Sequence, residues 1–191
     1  YSIFASQKNS KKISRTFQVE EYRVPTFEVK LSSSDEWKQG AKINTLIQAA
    51  YLHGGTLDGR AMKWEVSRKG ISFQPNGFKK FVFTANPTPP MHYIANGKGK
   101  LDGSGTKAVS FKLDLPSTMG PMKYTVRANA TDIDRQNYAG SFSSIVHPTD
   151  IYLGIKPPNK KILEAGTSIT VPIIAVNNNG ETVSDIKIRA K

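Results

Sequence analysis

The chain has 191 residues, with 27 Lys+Arg against 15 Asp+Glu, no Cys, 15 Gly, 11 Pro and 38% hydrophobic residues. That composition is ordinary for a globular protein and excludes collagen-like, low-complexity and disulfide-rich chains. Without cysteine there is no disulfide framework, thiol nucleophile, thiolate zinc site or Cys-ligated cluster. No apolar run reaches the roughly 18–20 residues that cross a bilayer as a helix, since Ile43 to Leu52 is broken by Asn44, Thr45 and Gln48.

Taken in chain order, Tyr1-Ser2-Ile3-Phe4-Ala5 has no Met and no secretory pattern, so a targeting segment is expected to have been removed or the chain to be cut from a longer protein. Period-2 alternation then recurs. Phe17-Val19-Glu21, Phe27-Val29-Leu31, the strand around Trp64, Val109-Phe111-Leu113-Leu115, Tyr124-Val126-Ala128 and Ile186-Ile188-Ala190 each set apolar side chains against polar ones. Such runs read as half-buried antiparallel strands. Phe81-Val82-Phe83 alternates weakly, and its aromatics are expected in the core. His53-Gly54-Gly55, Asn96-Gly97-Lys98-Gly99, Asp102-Gly103-Ser104-Gly105 and Asn177-Asn178-Asn179-Gly180 supply turn residues. Pro87, Pro89 and Pro90 make Thr84 to Tyr93 a poor central strand. The pattern predicts an all-β fold built of antiparallel β-sandwiches.

The chain also resembles itself. Gly40 and Ile43 recur as Gly166 and Ile169 at an offset of 126, Gly55 and Gly180 are 125 apart, and Tyr1 and Pro25 match Tyr124 and Pro148 at 123. A period of that size is a domain rather than a solenoid unit. The parse is residues 1–23 as the last two strands of one domain, 24–148 as a complete sandwich, and 149–191 as the first three strands of a third.

Catalytic and metal chemistry finds little support. There is no Gly-x-Ser-x-Gly elbow, and His53, His92 and His147 sit in a Gly turn, a Pro-rich loop and a domain junction. Asp132 and Asp134, or Asp102 with Ser104, lack the ligand pattern of an EF-hand. Asp132, Asp134, Arg135 and Gln136 read instead as an Asx-type turn with a charge-paired Arg. The expectation is no catalytic, cofactor or metal residue.

The net charge of +12 invites a nucleic-acid reading around Lys79 and Lys80 with Phe78, Phe81 and Phe83, and around Lys98, Lys100 and Lys107. Lys8, Lys11, Lys12, Lys156, Lys160 and Lys161 are expected on scattered hairpin tips, which favours a solvated surface. Trp37, Trp64, Tyr51 and Tyr93 are the aromatics a carbohydrate-binding module would use, with Trp64 expected in the core.

Val19-Glu20-Glu21-Tyr22-Arg23-Val24-Pro25-Thr26-Phe27-Glu28-Val29-Lys30 resembles the junction between macroglobulin-like domains of the alpha-2-macroglobulin and complement superfamily. Ala50-Tyr51-Leu52-His53-Gly54-Gly55, Ala130-Thr131-Asp132-x-Asp134-Arg135-Gln136 and Tyr152-x-Gly154-Ile155-Lys156 are similar to its bacterial members. The resemblance implies a non-enzymatic scaffold piece of a bacterial alpha-2-macroglobulin, a periplasmic, lipid-anchored, broad-range trap for proteases. Its partners would be neighbouring domains and, through the whole parent, target proteases. The family's thioester needs a Cys, which this chain lacks, and no segment here is identified as a bait. The alternatives are a carbohydrate- or surface-binding envelope module and a basic nucleic-acid binder. Pro25 and Pro148 are expected to stiffen the connections between domains.

Overall fold

The computed structural model describes residues 2–5, 13–16, 25–84, 89–114, 120–158, 162, 164–166 and 168–189. Residues 19–24 of the junction motif, the strand expected over Phe17 to Glu21, and Lys8, Lys11, Lys12, Lys160, Lys161, Leu115 and Ala190 lie outside them. The described residues contain strands and no helix.

Seven strands make a sandwich. One sheet has the order β3 (Phe27–Ser32), β4 (Lys42–Tyr51), β7 (Thr106–Lys112); the other runs β6 (His92–Lys100), β5 (Ala61–Gly70), β8 (Met122–Thr131), β9 (Asn137–Val146). Every pairing is antiparallel. In β4, which the sequence reading did not single out as alternating, Ile43, Thr45, Ile47 and Ala49 are buried and Lys42, Asn44, Leu46 and Gln48 between them are exposed. A one-residue slip would put all four inward residues in water, so the pattern itself fixes register.

The core fills in two lobes. Phe27, Ile47, Ala49, Leu57, Met62 and Val109 pack at one end, and Ile43, Val66, Phe111, Leu113, Tyr124 and Val126 at the other. Leu31 and Trp64 touch both lobes, so Trp64 is a core residue as expected. Each such side chain, fully buried, is worth roughly 1.5–3 kcal/mol against exposure.

Two further pairs flank the sandwich in sequence: β1 (Ser2–Ala5) with β2 (Ile13–Thr16), and β10 (Ile151–Ile155) with β11 (Ile173–Asn177). The second pair repeats the pairing of β3 and β4, with β11 following β4 at an offset of 126 and β10 following β3 at an offset of 124. The bridge Ala50–Thr56 recurs as Val176–Thr182, and the bond from the Tyr51 amide to the Gly55 carbonyl recurs from Asn177 to Glu181. Gly54 and Gly180 hold φ of 96° and 85°, a left-handed conformation that costs glycine nothing. The structural partner of Gly180 is therefore Gly54 rather than Gly55.

Three sequence expectations fail for identifiable reasons. Asn96 to Gly99 is not a turn but the middle of edge strand β6. Gly97 is small there because the Trp64 indole lies against it; a Cβ would stand 2.7 Å from the indole nitrogen. Ile186 to Arg189 forms no strand, because alternation sets faces while a ladder needs a neighbour, and none of the described strands pairs with it. Phe81, Val82 and Phe83 belong to neither core lobe and sit at the boundary with β10.

Candidate functional site

The strands lead the chain into the sandwich at one end, where β3 begins, and out at the other, where β9 stops. The residues that carry polar or aromatic chemistry collect at these two ends and on one outer sheet face.

At the leading end, two motifs far apart in sequence meet. The Tyr51 hydroxyl donates to the Asp132 carboxylate at 2.5 Å. That carboxylate also accepts from the Ile133 amide at 2.6 Å and lies 3.8 Å from the Arg60 guanidinium, with its side chain 8% exposed. The Asx-type turn is present, but its ion partner is Arg60 rather than Arg135, because Arg135 takes a left-handed φ of 60° to close the turn and donates its amide to the Asp132 carbonyl. The hydrogen bond to Asp132, then burial, raises the Tyr51 pKa above its usual value. Gln136 accepts from the Thr26 and Tyr138 hydroxyls, tying this turn to the first residues after Pro25.

The trailing end is aromatic. Phe73, from the loop after β5, stacks on Tyr152 of β10 with ring centroids 4.2 Å apart and an interplanar angle of 29°. Phe83 and His147 each present an edge to Phe73, at 5.8 Å and 5.9 Å. His147 Nδ1 and the Tyr152 hydroxyl are 3.0 Å apart. Burial lowers the His147 pKa and lifts that of Tyr152 to about 12, so both are neutral at physiological pH. Beside the stack, Val82 and Ile155 exchange both backbone hydrogen bonds, at 2.8 Å and 2.9 Å. The loop 71–84 and strand β10 are thereby joined by an isolated antiparallel bridge. Gly154 permits the approach: a Cβ there would meet the Phe83 ring at 2.4 Å.

The other nominated residues do not converge. His53 and His92 are exposed and far apart along the chain, and no group of three or more His, Cys, Asp or Glu among the described residues could hold a metal. Asp102 serves its own turn, accepting from the Ser104 amide and hydroxyl and from the Thr106 amide and hydroxyl. Of the aromatics a sugar site would use, Trp37 packs edge-on against Phe111 and Tyr124, and Trp64 points into the core. Tyr51 is at the leading end, and Tyr93 is half exposed on β6. No described helix is long and apolar enough to cross a membrane.

A basic face lies on the four-stranded sheet, and it includes Lys98 and Lys100 of the nucleic-acid reading. Registers place Lys98 and Lys100 of β6, Lys63 and Lys69 of β5, and Lys123 and Arg127 of β8 on one outer face of the four-stranded sheet, all exposed. Of the lysines expected on hairpin tips, Lys156 alone is among the described residues. The alternation that buries Val66 and Val126 also aims every second residue outward, and six of those residues are basic.

No family model matches the chain. An alpha-2-macroglobulin homolog from Nostoc sp. is 26% identical over 199 residues, covering 99% of this chain and 10% of that protein. The Circularly permutated Ras protein 2 of Dictyostelium discoideum is also 26% identical, over 91% of this chain and 5% of its own length. Among solved structures, Salmonella alpha-2-macroglobulin reacted with methylamine superposes with a TM-score of 0.65 at 16% identity, covering 95% of this chain and 13% of that one. The fold is thus that of the macroglobulin-like domains of alpha-2-macroglobulin. The resemblance read from the motifs is the one the comparisons return, and the chain spans about a tenth of the alpha-2-macroglobulin homolog it matches.

Proposed function

We propose that the chain is a non-catalytic scaffold segment of a bacterial alpha-2-macroglobulin, a protease-trapping endopeptidase inhibitor of the periplasm or cell envelope. Residues 24–148 form its one complete macroglobulin-like domain, residues 1–23 close the preceding domain and residues 149–191 open the following one. The turn after β4 recurs after β11 at an offset of 126, which supports that parse.

The observation that carries the reading is the join at the trailing end. A scaffold that transmits a cleavage event needs consecutive domains that move as units, and a freely jointed string cannot do this. The two backbone bonds between Val82 and Ile155, with Phe73 stacked on Tyr152, give the sandwich and the next strand pair a directional contact beyond the Pro148 connection. Asp102, Asp132 and His147 are engaged in turns and packing, and the partners this arrangement serves are neighbouring domains of the parent. Proteases would be met only by the whole molecule.

The test uses the whole parent protein. Incubated with a protease, it should shield a large protein substrate from digestion while hydrolysis of a small chromogenic peptide continues, because a trapped protease keeps its active site. Equal loss of both activities, or loss of neither, overturns the trapping function.

A further inference from the structure

We infer that the outer face of the β6-β5-β8-β9 sheet is a docking surface for an anionic lipid bilayer. The inference is independent of the scaffold function proposed above. The face carries six basic residues, Lys63, Lys69, Lys98, Lys100, Lys123 and Arg127, against one acid, Glu65. Register sets Lys63 directly opposite Lys98, and Lys69 directly opposite Lys123. Like charges so placed, with Cβ atoms about 5 Å apart, oppose strand pairing, and an external anion relieves that repulsion. Glu65 stands opposite Arg127 and Asn96, leaving both lysine pairs without a carboxylate across the ladder.

The chemistry selects the occupant. Five of the six cations are lysines, compact and strongly hydrated charges that suit attraction to a diffuse anionic layer and are depleted from desolvated protein interfaces. A single strand of nucleic acid needs aromatic faces on which to stack, and Tyr93 is the only aromatic that the register brings to this face; Trp64 points to the core. A second copy presenting the same face would set six cations against six, which opposes it as the occupant. Tyr93, 53% exposed on edge strand β6, and Ile145, 48% exposed on the opposite edge strand β9 across from Lys123, add an amphipathic ring and an apolar side chain at the two edges of the basic field. That combination suits a headgroup layer. The outer face of the other sheet carries fewer cations, with Lys30, Lys42 and Lys112 against Glu28; Lys42 stands opposite Lys112 there, and Glu28 pairs with Lys30.

The experiment is co-flotation of the 191-residue chain with vesicles of phosphatidylglycerol in phosphatidylcholine, and with phosphatidylcholine alone. Binding is expected only to the anionic vesicles, and it should vanish at about 1 M salt, where the screening length is about 3 Å. The triple variant Lys63→Glu, Lys98→Glu, Lys123→Glu should lose about tenfold or more in affinity, while Lys30→Glu, Lys42→Glu, Lys112→Glu, with the same change in net charge, should stay within about twofold. Should the first variant fail to fold by circular dichroism, the corresponding three Gln substitutions serve in its place. Equal losses in the two triple variants, absence of anionic-vesicle binding, or tighter binding of a single-stranded oligonucleotide at equal salt overturns the proposal.

Discussion

Phe73 and Tyr152 stack at 4.2 Å across the boundary between the sandwich and strand β10, although 79 positions separate them in sequence. An offset-stacked or edge-on aromatic pair contributes about 0.5–1.5 kcal/mol beyond the area it buries. Phe73 lies in a loop outside both core lobes, so its removal should loosen the boundary and spare the sandwich. In Phe73→Ala, the amides of Val82 and Ile155 should exchange with solvent about tenfold faster or more, as follows from a local loss of about 1.4 kcal/mol. Amides of β4 and β8 should keep their protection. Uniform loss of protection across the chain would show that the loop belongs to the sandwich's own cooperative unit.

Gly154 provides a steric version of the same experiment. A Cβ at that position would stand 2.4 Å from the Phe83 ring, inside any real contact distance. Gly154→Val should therefore break the Val82–Ile155 bridge as Phe73→Ala does, with a shift in tyrosine near-ultraviolet circular dichroism as Tyr152 leaves its stacked position. An unchanged spectrum and unchanged exchange would refute the close packing of β10 on the loop.

A different kind of change should stabilise the protein. Thr45 is fully buried on the inward face of β4, and its hydroxyl has no hydrogen-bond partner. A buried, unsatisfied hydroxyl costs about 1–3 kcal/mol, and Val keeps the β-branched shape while removing the polar atom. Thr45→Val should raise the unfolding free energy by about 1 kcal/mol, a gain of a few degrees in Tm for a domain of this size. A decrease in Tm would mean that the hydroxyl is satisfied in solution.

These positions show what the sequence could and could not disclose. Strand alternation revealed the inward rows of β7 and β8 because burial of one face selects period-2 hydrophobicity. The Gly-containing turns at Gly54, Gly105 and Gly180 were legible because their positive φ demands that residue. Gly97 defeated the same rule, since a glycine can also answer to a ring packed against it, and that ring belongs to Trp64 on another strand. The basic face was hidden for a related reason. Lys63, Lys98 and Lys123 come from three separated stretches, and only the register of β5 with β6 and β8 places them together. Likewise, Tyr51 and Asp132 were each noted as motif members, but the bond joining them is tertiary.

That bond predicts a measurable dependence. Asp132 accepts from Tyr51 and from the Ile133 amide and faces Arg60, so Asp132→Ala strands several groups at once. Hydrogen bonds to a charged group contribute about 1.5–3 kcal/mol, so the loss should approach the upper end, with Tyr51→Phe costing about 1 kcal/mol. The double variant should cost less than the sum of the two, since both remove the same contact. Strict additivity in urea unfolding would argue that the two side chains do not interact in solution.

Asp102 should show itself at low pH. The Thr106 amide, followed by the Ser104 and Thr106 hydroxyls, holds its carboxylate form and draws the pKa to about 2. Its folded pKa lies below the unfolded value of 3.8, so the unfolded chain binds the proton more readily. The contribution is fully present above about pH 4 and is lost as the pH falls toward 2. Asp102→Asn should therefore flatten the acid limb of the stability profile in that window and leave its neutral-pH slope unchanged. A variant profile that runs parallel to the wild type through this window would remove Asp102 from the acid response.

His147 acts on the boundary in a higher pH window. Burial lowers its pKa, and its partner across the boundary, the Tyr152 hydroxyl, stays neutral because burial lifts that pKa to about 12. The unfolded or undocked imidazole keeps an ordinary value of 6.5, so the released state takes up a proton that the docked state resists. Docking of β10 on the loop should therefore be strongest above that value and weaken as the pH falls through it, while the sandwich, whose core contains no histidine, stays folded. Amide exchange at Val82 and Ile155, corrected for its intrinsic pH dependence, should accelerate between about pH 7 and 5. His147→Gln, which can hydrogen-bond to Tyr152 without titrating, should abolish the acceleration; its persistence in that variant would assign the response to another group.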